Sequence, residues 1–363
     1  MELLINRRTL ADALQDLRAF AGKNKQLPIL DNVKFVVMDN NVRLQTSDGT
    51  RAIRKYITAD SSSEDGAFLV NCAALIGIIS KISRETIMFQ VEDSHVTIKY
   101  GSGKMKFAAL PANDYPEPFV PSVGDRVDIP QNIFVNDVST AQSFVGNDDY
   151  RPMMKNVYIN VVDGTIEVTG TDTHMCYHST HELQGNVPDV SFFIDPTLTS
   201  LIAKAARKVE SVSVYISKEQ YSFQTPDTII FSAGYNYKFP NVKRIIPTEN
   251  NIEVVVNKNT LDAVIGRVAL ACSESSMIKF TVDNNNMSVE ADNLMASASE
   301  SMTVGSTCSM VFGMHNSYFR TLLNATQSED VTICLKDPSS AVLLKDENKE
   351  RTLLIMPMST QPV

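Results

Sequence analysis

Three histidines and a cysteine crowd one short stretch of the chain: His174, Cys176 and His178 alternate, and His181 follows. Imidazole and thiolate are good zinc ligands, and a period of two would project the first three from one face of a strand. A zinc site asks for a fourth ligand and a tighter frame than this spacing supplies, so the competing reading is of strand residues with polar ends. Three carboxylates, Asp48, Asp172 and Asp292, could serve acid–base chemistry. They stand at equivalent places in three separate segments, each closing a hairpin pattern, and read better as turn formers. No G-x-S-x-G, P-loop, H-E-x-x-H or dinucleotide fingerprint occurs. The chemistry that remains is that of binding rather than catalysis, with no cofactor and no metal expected.

The elements that would position these residues repeat. Three segments open alike: Ile5-Asn6-Arg7-Arg8-Thr9-Leu10, Ile129-Pro130-Gln131-Asn132-Ile133-Phe134 and Val256-Asn257-Lys258-Asn259-Thr260-Leu261. Each reads as a strand end, a polar cap and an amphipathic helix. Leu10, Leu14, Leu17 and Phe20 fall at helical spacing in the first, and Leu261, Val264, Ile265 and Val268 in the third. Alternating strands with polar turns follow, the turns being Asp39-Asn40-Asn41, Asp163-Gly164 and Asn284-Asn285-Asn286. These residues tolerate positive φ and signal hairpins. A second helix then comes in each unit, over 73–83, 198–209 and 317–325, the middle one with Pro196 at its first turn. The unit is two helices plus about eight strands at an interval of about 120 residues, too long and too β-rich for a short-repeat solenoid. The spacing predicts three α+β domains, 1–122, 123–249 and 250–363, joined by polar, proline-containing links at 121–128 and 247–251.

Bulk properties agree with a globular chain. Of 363 residues, 43% are apolar and 21% charged. The apolar run at 353–358 falls far short of a membrane span, and the N-terminus, with its early Glu2 and no apolar core, does not read as a signal peptide. The five scattered cysteines, with no C-x-x-C, suit a reduced, cytoplasmic chain. The net charge of −9 argues against whole-surface attraction to phosphate and leaves room for a local basic face.

Several segments together resemble the bacterial DNA polymerase III β subunit, the β sliding clamp family: Leu27-Pro28-Ile29-Leu30-Asp31-Asn32, Leu110-Pro111-Ala112-Asn113-Asp114-Tyr115-Pro116, Gly170-Thr171-Asp172-Thr173-His174, Lys238-Phe239-Pro240-Asn241 with Arg244 and Pro247, and Met356-Pro357-Met358. The resemblance spans the whole chain, and its force lies in five segments in order on a threefold repeat. It implies a non-catalytic processivity factor: a head-to-tail homodimer, a ring of six like domains, helices lining the bore and duplex DNA passing through. About 12 inner helices at roughly 9 Å per neighbour trace a circle about 35 Å across, and removing about 5 Å of helix radius on each side leaves roughly 25 Å, which admits a duplex without gripping it. Non-specific phosphate attraction can then be weak, because topology retains the DNA.

The resemblance also assigns roles. Positive charge is expected on the inner helices: Lys204, Arg207 and Lys208 on the second helix of the middle unit, Arg18, Lys81, Arg267 and Arg320 elsewhere, and Lys23 with Lys25 in a loop where the family carries a DNA-contacting basic residue. Asp12, Asp16, Asp137 and Asp262 lie among them, and the first helix of the middle unit has no basic residue. Polymerase, clamp-loader and other clamp-binding peptides would insert an apolar anchor in a groove between the second and third domains, at Met154, Thr171, His174, Pro240, Arg244, Ile245, Leu354, Ile355, Met356, Pro357 and Met358. Methionine suits a groove that accepts several partners. Thr173, Met175 and Cys176 depart from the family's usual Gly, Arg and Leu, and 359–363 runs past its usual end. Across the dimer interface, Met105 and Phe107 on strand 104–109 would face Leu270 and Ala271. The rival readings are a metal-binding protein and a scaffold that never meets DNA.

Overall fold

The computed structural model describes residues 1–92, 95–117, 124–235, 237–273 and 276–360. The first link, at 121–128, begins outside these residues, as do the boundary at 122 and the last three residues of the C-terminal run-on; the strand Asp125–Pro130 occupies the rest of that link. Besides short 3-10 turns, the described residues form six helices: α1 (Arg7–Leu17), α2 (Cys72–Ile79), α3 (131–144), α4 (Pro196–Ala206), α5 (Lys258–Val268) and α6 (Asn316–Ala325). None is long and apolar enough to cross a membrane.

Each repeat starts its first helix with the same backbone bond. The first helical N–H donates to a glutamate carbonyl: Arg7 to Glu85 at 2.7 Å, Gln131 to Glu210 at 2.9 Å, Lys258 to Glu329 at 2.8 Å. Asn6 caps α1 by accepting from Arg8 and Thr9, and Asn257 caps α5 by accepting from Thr260. Such a cap contributes about 1 kcal/mol. The middle repeat has Pro130 at that place, with no side-chain acceptor. After Gln131 and Asn132 its helix is π-helical over Ile133–Val138 and tightens through Ser139–Ala141 into a 3-10 turn, Gln142–Phe144. The apolar faces are buried as their spacing predicts, Leu10, Leu14 and Leu17 in α1 and Leu261, Val264, Ile265 and Val268 in α5; Phe20 is buried just past the end of α1. Each such side chain stabilises by about 1.5–3 kcal/mol.

The strands form four antiparallel sheets in two compact units, one made of 1–135 with 197–236, the other of 136–196 with 237–363. The first unit holds a five-stranded sheet of the first repeat, running Ser61–Ser62, Glu2–Asn6, Thr86–Glu92, His95–Tyr100, Gly103–Ala108. It also holds an eight-stranded sheet in which four strands of the first repeat meet four of the second. The join pairs Arg51–Thr58 with Thr228–Ala233, Arg51 opposite Ser232. The second unit repeats the plan. Met175–Glu182 pairs with Arg351–Ile355, Met175 opposite Ile355, inside an eight-stranded sheet shared by the second and third repeats. A four-stranded sheet of the third repeat ends at Ser297–Thr303.

Several expectations need correction. Helix α4 stops at Ala206, so Arg207 and Lys208 lie in the turn after it; α2 stops at Ile79, short of Lys81, and α1 at Leu17, with Arg18 as its C-cap. In the third repeat the turn former is Asn293, which accepts from Met295 and Ala296, while Asp292 is the last residue of its strand. His174 precedes the strand Met175–Glu182 and does not share a face with Cys176 and His178.

Gly170 has a steric reason. A Cβ there would sit 2.1 Å from the Ala141 carbonyl oxygen, in the backbone of α3. In the first repeat Thr46 stands at that place and its hydroxyl donates to the Leu17 carbonyl at 2.6 Å. We expect Gly170→Val to lower stability by about 1–3 kcal/mol, read as a reduced urea midpoint; an unchanged midpoint would refute the contact.

A buried polar cluster ties α3 to its sheet. Tyr177 donates to Asp137 at 2.7 Å, and His181 lies with Nε2 3.2 Å from Asp137 Oδ1 and Nδ1 3.3 Å from Glu350 Oε2. The Asp137 contact, more than burial opposes it, raises the His181 pKa. Burial alone would raise Asp137, but its bonds to His181 and Tyr177 outweigh that and hold it below the carboxylate range. A raised folded-state histidine stabilises fully below its unfolded pKa of roughly 6.5. That contribution is lost as pH rises through the folded-state value. The stability difference between wild type and His181→Gln should therefore shrink between acid and mildly alkaline pH; a difference independent of pH would count against the cluster.

Candidate docking groove and nucleic-acid interface

The expected docking residues all belong to the second unit, and the strand Arg351–Ile355 organises them. Leu354 and Ile355 are buried, Leu354 in a cluster with Cys176, Val242, Cys334 and Leu343. They are the floor on which the site rests, not its surface. Past Ile355 the chain stays tied down: Met356 N–H donates to the His174 carbonyl and Met358 N–H to the Gly313 carbonyl, both at 2.8 Å. Residue 313 must be glycine for this approach, since a Cβ would meet the Met358 carbonyl at 2.8 Å. The Met356 side chain is left 42% exposed.

Beside it is a tight turn. Asp172 Oδ1 accepts from the His174 and Met175 N–H groups at 2.8 Å each. Thr171, buried, donates to the Met175 carbonyl at 2.7 Å and accepts from Thr173 N–H at 3.1 Å. Thr173 sits at φ +83°, a region that favours glycine. Met154 is half-buried, its carbonyl bonded to Gly146, and Gly146 backs onto Asp172. On the far side Phe239 stacks on Tyr158 with ring centres 4.3 Å apart and delivers the exposed Pro240. Asn241 caps the 3-10 turn Val242–Arg244, Val242 enters the cluster, and Arg244 and Ile245 face out, Ile245 52% exposed. Arg244 has no ion-pair partner among the described residues.

A groove of about 320 Å³ also runs along this face, lined by Tyr158, Glu167, Phe239, Pro240 and Lys243 among others. Of the expected residues it takes in Pro240 alone. The sequence reading missed two aromatic neighbours, Tyr318 and His315. The Tyr318 ring stacks on His174 at 5.8 Å and on His315 at 4.2 Å. Burial first, then the Asp172 carboxylate, raises the Tyr318 pKa; burial and the neighbouring His174 lower that of His315. Tyr318 precedes the buried Phe319 in α6, and that step off the core face was the available signal.

Metal and thiol chemistry find no support in this geometry. Burial pushes the Cys176 thiol up to about 12 and lowers the His178 pKa, whose Nδ1 lies 2.9 Å from Thr169 Oγ1. Among the described residues no three His, Cys, Asp or Glu side chains converge as a metal site. Asp48 and Asp172 hold backbone N–H groups, Asp48 those of Thr50 and Arg51.

The six expected DNA-contacting residues fall in the first unit, near the C-terminal ends of α1, α2 and α4. Lys23, Lys25, Lys81 and Arg207 are exposed with no ion-pair partner among the described residues, as is Arg18. Lys204 is held by Asp16 at 2.6 Å, which also meets Lys55 at 3.2 Å, and Lys208 by Asp227 at 3.1 Å. Helix α1 packs on α2, and the Lys204–Asp16 bridge joins α4 to α1. Helix C-termini carry partial negative charge, which favours cations there. In the second unit Arg267 is paired with Glu300 and Arg320 with Asp262. Of the expected dimer residues, Met105 is 39% exposed, Phe107 half-buried and Leu270 85% exposed; Ala271 is buried within its own repeat.

Comparison with known proteins agrees with this architecture. The beta sliding clamp of Haemophilus influenzae is 22% identical over 366 residues, covering 99% of this chain and 100% of that protein. The solved structure of the beta subunit of Streptococcus pyogenes DNA polymerase superposes with a TM-score of 0.93 at 21% identity, covering 99% of this chain and 100% of that one. The Helicobacter pylori beta clamp, solved with a DNA ligase peptide bound, gives 0.88 at 21% identity, covering 99% and 100%. The family model for the DNA polymerase III beta subunit N-terminal domain matches residues 1–119 and 126–234, and that for its C-terminal domain matches 243–359. By those matches the chain belongs to the DNA polymerase III beta subunit family, the bacterial sliding clamps.

Proposed function

We propose that this chain, a DNA sliding clamp by family and a processivity factor rather than an enzyme, pairs head to tail with a second copy to close a ring around duplex DNA. The observation that carries the ring is a pair of sheet edges with no strand beside them among the described residues. Two seams join repeats within the chain, one pairing Arg51–Thr58 with Thr228–Ala233 and one pairing Met175–Glu182 with Arg351–Ile355. The equivalents of these strands at the chain's two ends are Ser297–Thr303 and Gly103–Ala108, each the last strand of its sheet. An open edge with free N–H and C=O groups invites pairing. Phe107 holds the place of Ser232 and Ile355, and Ala296 that of Arg51 and Met175. The register then sets Phe107 opposite the partner's Ala296 and Met105 opposite the partner's Ala298. Exposed Leu270, Leu294 and Met295 lie at that end of the third repeat, where Asn293 bonds the Cys272 carbonyl, and the second copy covers them.

The three repeats, with boundaries at 122 and 249, would then become six domains. The cations Lys23, Lys25, Lys81, Lys204, Arg207 and Lys208 would meet phosphate along the bore, with Arg207, Lys23, Lys25 and Lys81 most available. Weak contacts suffice because the closed ring does the holding. The groove around Met356, Ile245, Met154, His174, Pro240, Pro357 and Met358 would take short segments of a polymerase subunit, a clamp loader and other clamp-binding proteins, with Arg244 at its rim and Thr171, Leu354 and Ile355 beneath. The chain would work in the cytoplasm, where the chromosome is.

In solution the mass should be near twice the 40.1 kDa of one chain, and a Phe107→Lys, Leu270→Asp variant should run as a monomer. Loaded by its loader onto plasmid, wild type should remain on nicked circles and leave the same DNA once it is linearised; equal loss from both would sink the ring. For docking, Met356→Ala should weaken a clamp-binding peptide about tenfold, roughly 1.4 kcal/mol, with unfolding unaffected. Leu354→Ala should instead destabilise the fold by about 2–5 kcal/mol. A Met356 variant that binds as tightly as wild type would remove it from the groove.

A further inference from the structure

The docking groove has a counterpart at the seam between the first and second repeats, built on the same backbone frame. Ala233 N–H donates to the Thr50 carbonyl at 3.1 Å, as Met356 does to His174. Asp48 accepts from Thr50 and Arg51, as Asp172 does from His174 and Met175. The Gly22–Leu30 bond, 3.2 Å, parallels Gly146–Met154, and Tyr115-Pro116 stands where Phe239-Pro240 stands at the other seam. Between these parts lies a groove of about 330 Å³.

Its side chains differ in kind. Arg51 is held by Asp48 at 2.8 Å. The Glu117 carboxylate is already taken up by three cations, Lys34 at 2.6 Å, Arg54 at 2.7 Å and Arg43 at 3.4 Å, none of which lines the groove. Two lining groups have no partner among the described residues: the exposed Glu219 carboxylate, and the Gln220 amide oxygen, which is buried. Lys218, the other charge of that turn, does not line the groove. Both groups are acceptors; Glu219 is open to solvent, while the buried Gln220 amide oxygen, without a donor, is costly. At the other seam the unpaired charge is the opposite, Arg244, beside exposed Met356 and Ile245.

We propose that the first-seam groove is a second peptide site, selective for an extended segment with a basic side chain. An ammonium or guanidinium would sit on Glu219, and a peptide N–H would donate to the Gln220 side-chain amide oxygen, Oε1, which has no partner among the described residues. The two grooves of one chain would then sort partners by charge, through the same backbone frame.

The test uses the full-length protein labelled at its alanine methyls, since Ala52 and Ala233 line this groove and Ala341 packs at the second seam. A blocked alanine-arginine-alanine tripeptide is titrated against its alanine-glutamate-alanine analogue. The proposal expects saturable shifts at Ala52 and Ala233 with the arginine peptide and none with the glutamate peptide. Glu219→Gln and Gln220→Leu should each weaken the response roughly fivefold while the unliganded spectrum keeps its other alanine signals. Flat titrations at Ala52 and Ala233, equal responses to the two peptides, or a response indifferent to both variants would overturn it. Shifts confined to Ala341 would also overturn it while leaving the second-seam groove standing, so the two readings fail separately.

Discussion

The backbone of an edge strand has hydrogen-bonding groups that must go somewhere, and this chain is arranged around where they go. Each repeat brings two sheets with one outer edge apiece. Inside the chain two pairs of edges meet, Arg51–Thr58 with Thr228–Ala233 and Met175–Glu182 with Arg351–Ile355. Each ladder bond contributes about 0.5–1.5 kcal/mol net, and the apolar rows beneath, such as Leu353 to Ile355, add the larger share. The seams are therefore as much fold as interface. The compact units divide within the middle repeat for that reason: half of it shares a sheet with the first repeat and half with the third.

Pairing sets the backbone at a seam, and the linker passing over the sheet sets its chemistry. At the first seam the linker is fixed by ions: Glu117 meets Lys34, Arg43 and Arg54, and Tyr115, buried, accepts the Ser47 N–H at 3.1 Å and donates to the Asn32 carbonyl. At the second it is fixed by rings, with Phe239 stacked on Tyr158 and near Phe193, and by one ion pair of reversed sense, Lys243 on Glu167. The two linkers thus bring charges of opposite sign to the sheet, Glu117 at the first seam and Lys243 at the second. Half-buried carboxylates with several cations are held by geometry as much as by energy, because desolvation offsets much of their attraction. Stacked rings lose no hydration of charge and add about 0.5–1.5 kcal/mol beyond burial.

Local features of this arrangement were legible from residue types. Asp39, Asn40, Asp163 and Asn284 take positive φ in the expected hairpin turns, and Gly164 does so beside Asp163. Helix faces followed from apolar spacing, and Asn6 and Asn257 cap as polar residues should. What was not legible depends on partners distant in sequence. Nothing near Arg351 says that it will lie opposite Ser179, and nothing near Lys204 says that Asp16 will hold it. Asn293 was overlooked for Asp292 because an amide and a carboxylate both accept from backbone, and only the register says which does. The middle helix was misread at its start because Pro130 sits in a frame where its neighbours in the other repeats have asparagine. For the docking residues, the resemblance assembled a set that the spacing alone does not join. The structure then divides it into a floor, Leu354 and Ile355, and exposed side chains, Met356 and Ile245.

The turn beside that groove shows how far a shared frame can be bent. At the first seam the residue after the capping aspartate is Gly49, at φ +97°, where glycine is unstrained. At the second it is Thr173, at φ +83°, and a β-branched residue there costs on the order of 1–3 kcal/mol. The conformation persists because it is overdetermined. Asp172 holds the next two N–H groups, Thr171 holds Thr173 N–H and the Met175 carbonyl, and Arg151 donates to the Thr173 hydroxyl at 3.1 Å. Those bonds fix the His174 carbonyl where Met356 needs it. Gly49 makes the same turn at the first seam without that strain, so what the threonine adds is the bond from Arg151 to its hydroxyl. The threonine gives up local stability and, in return, ties Arg151 to the turn beside which the exposed Met356 and the His174–Tyr318 stack are set.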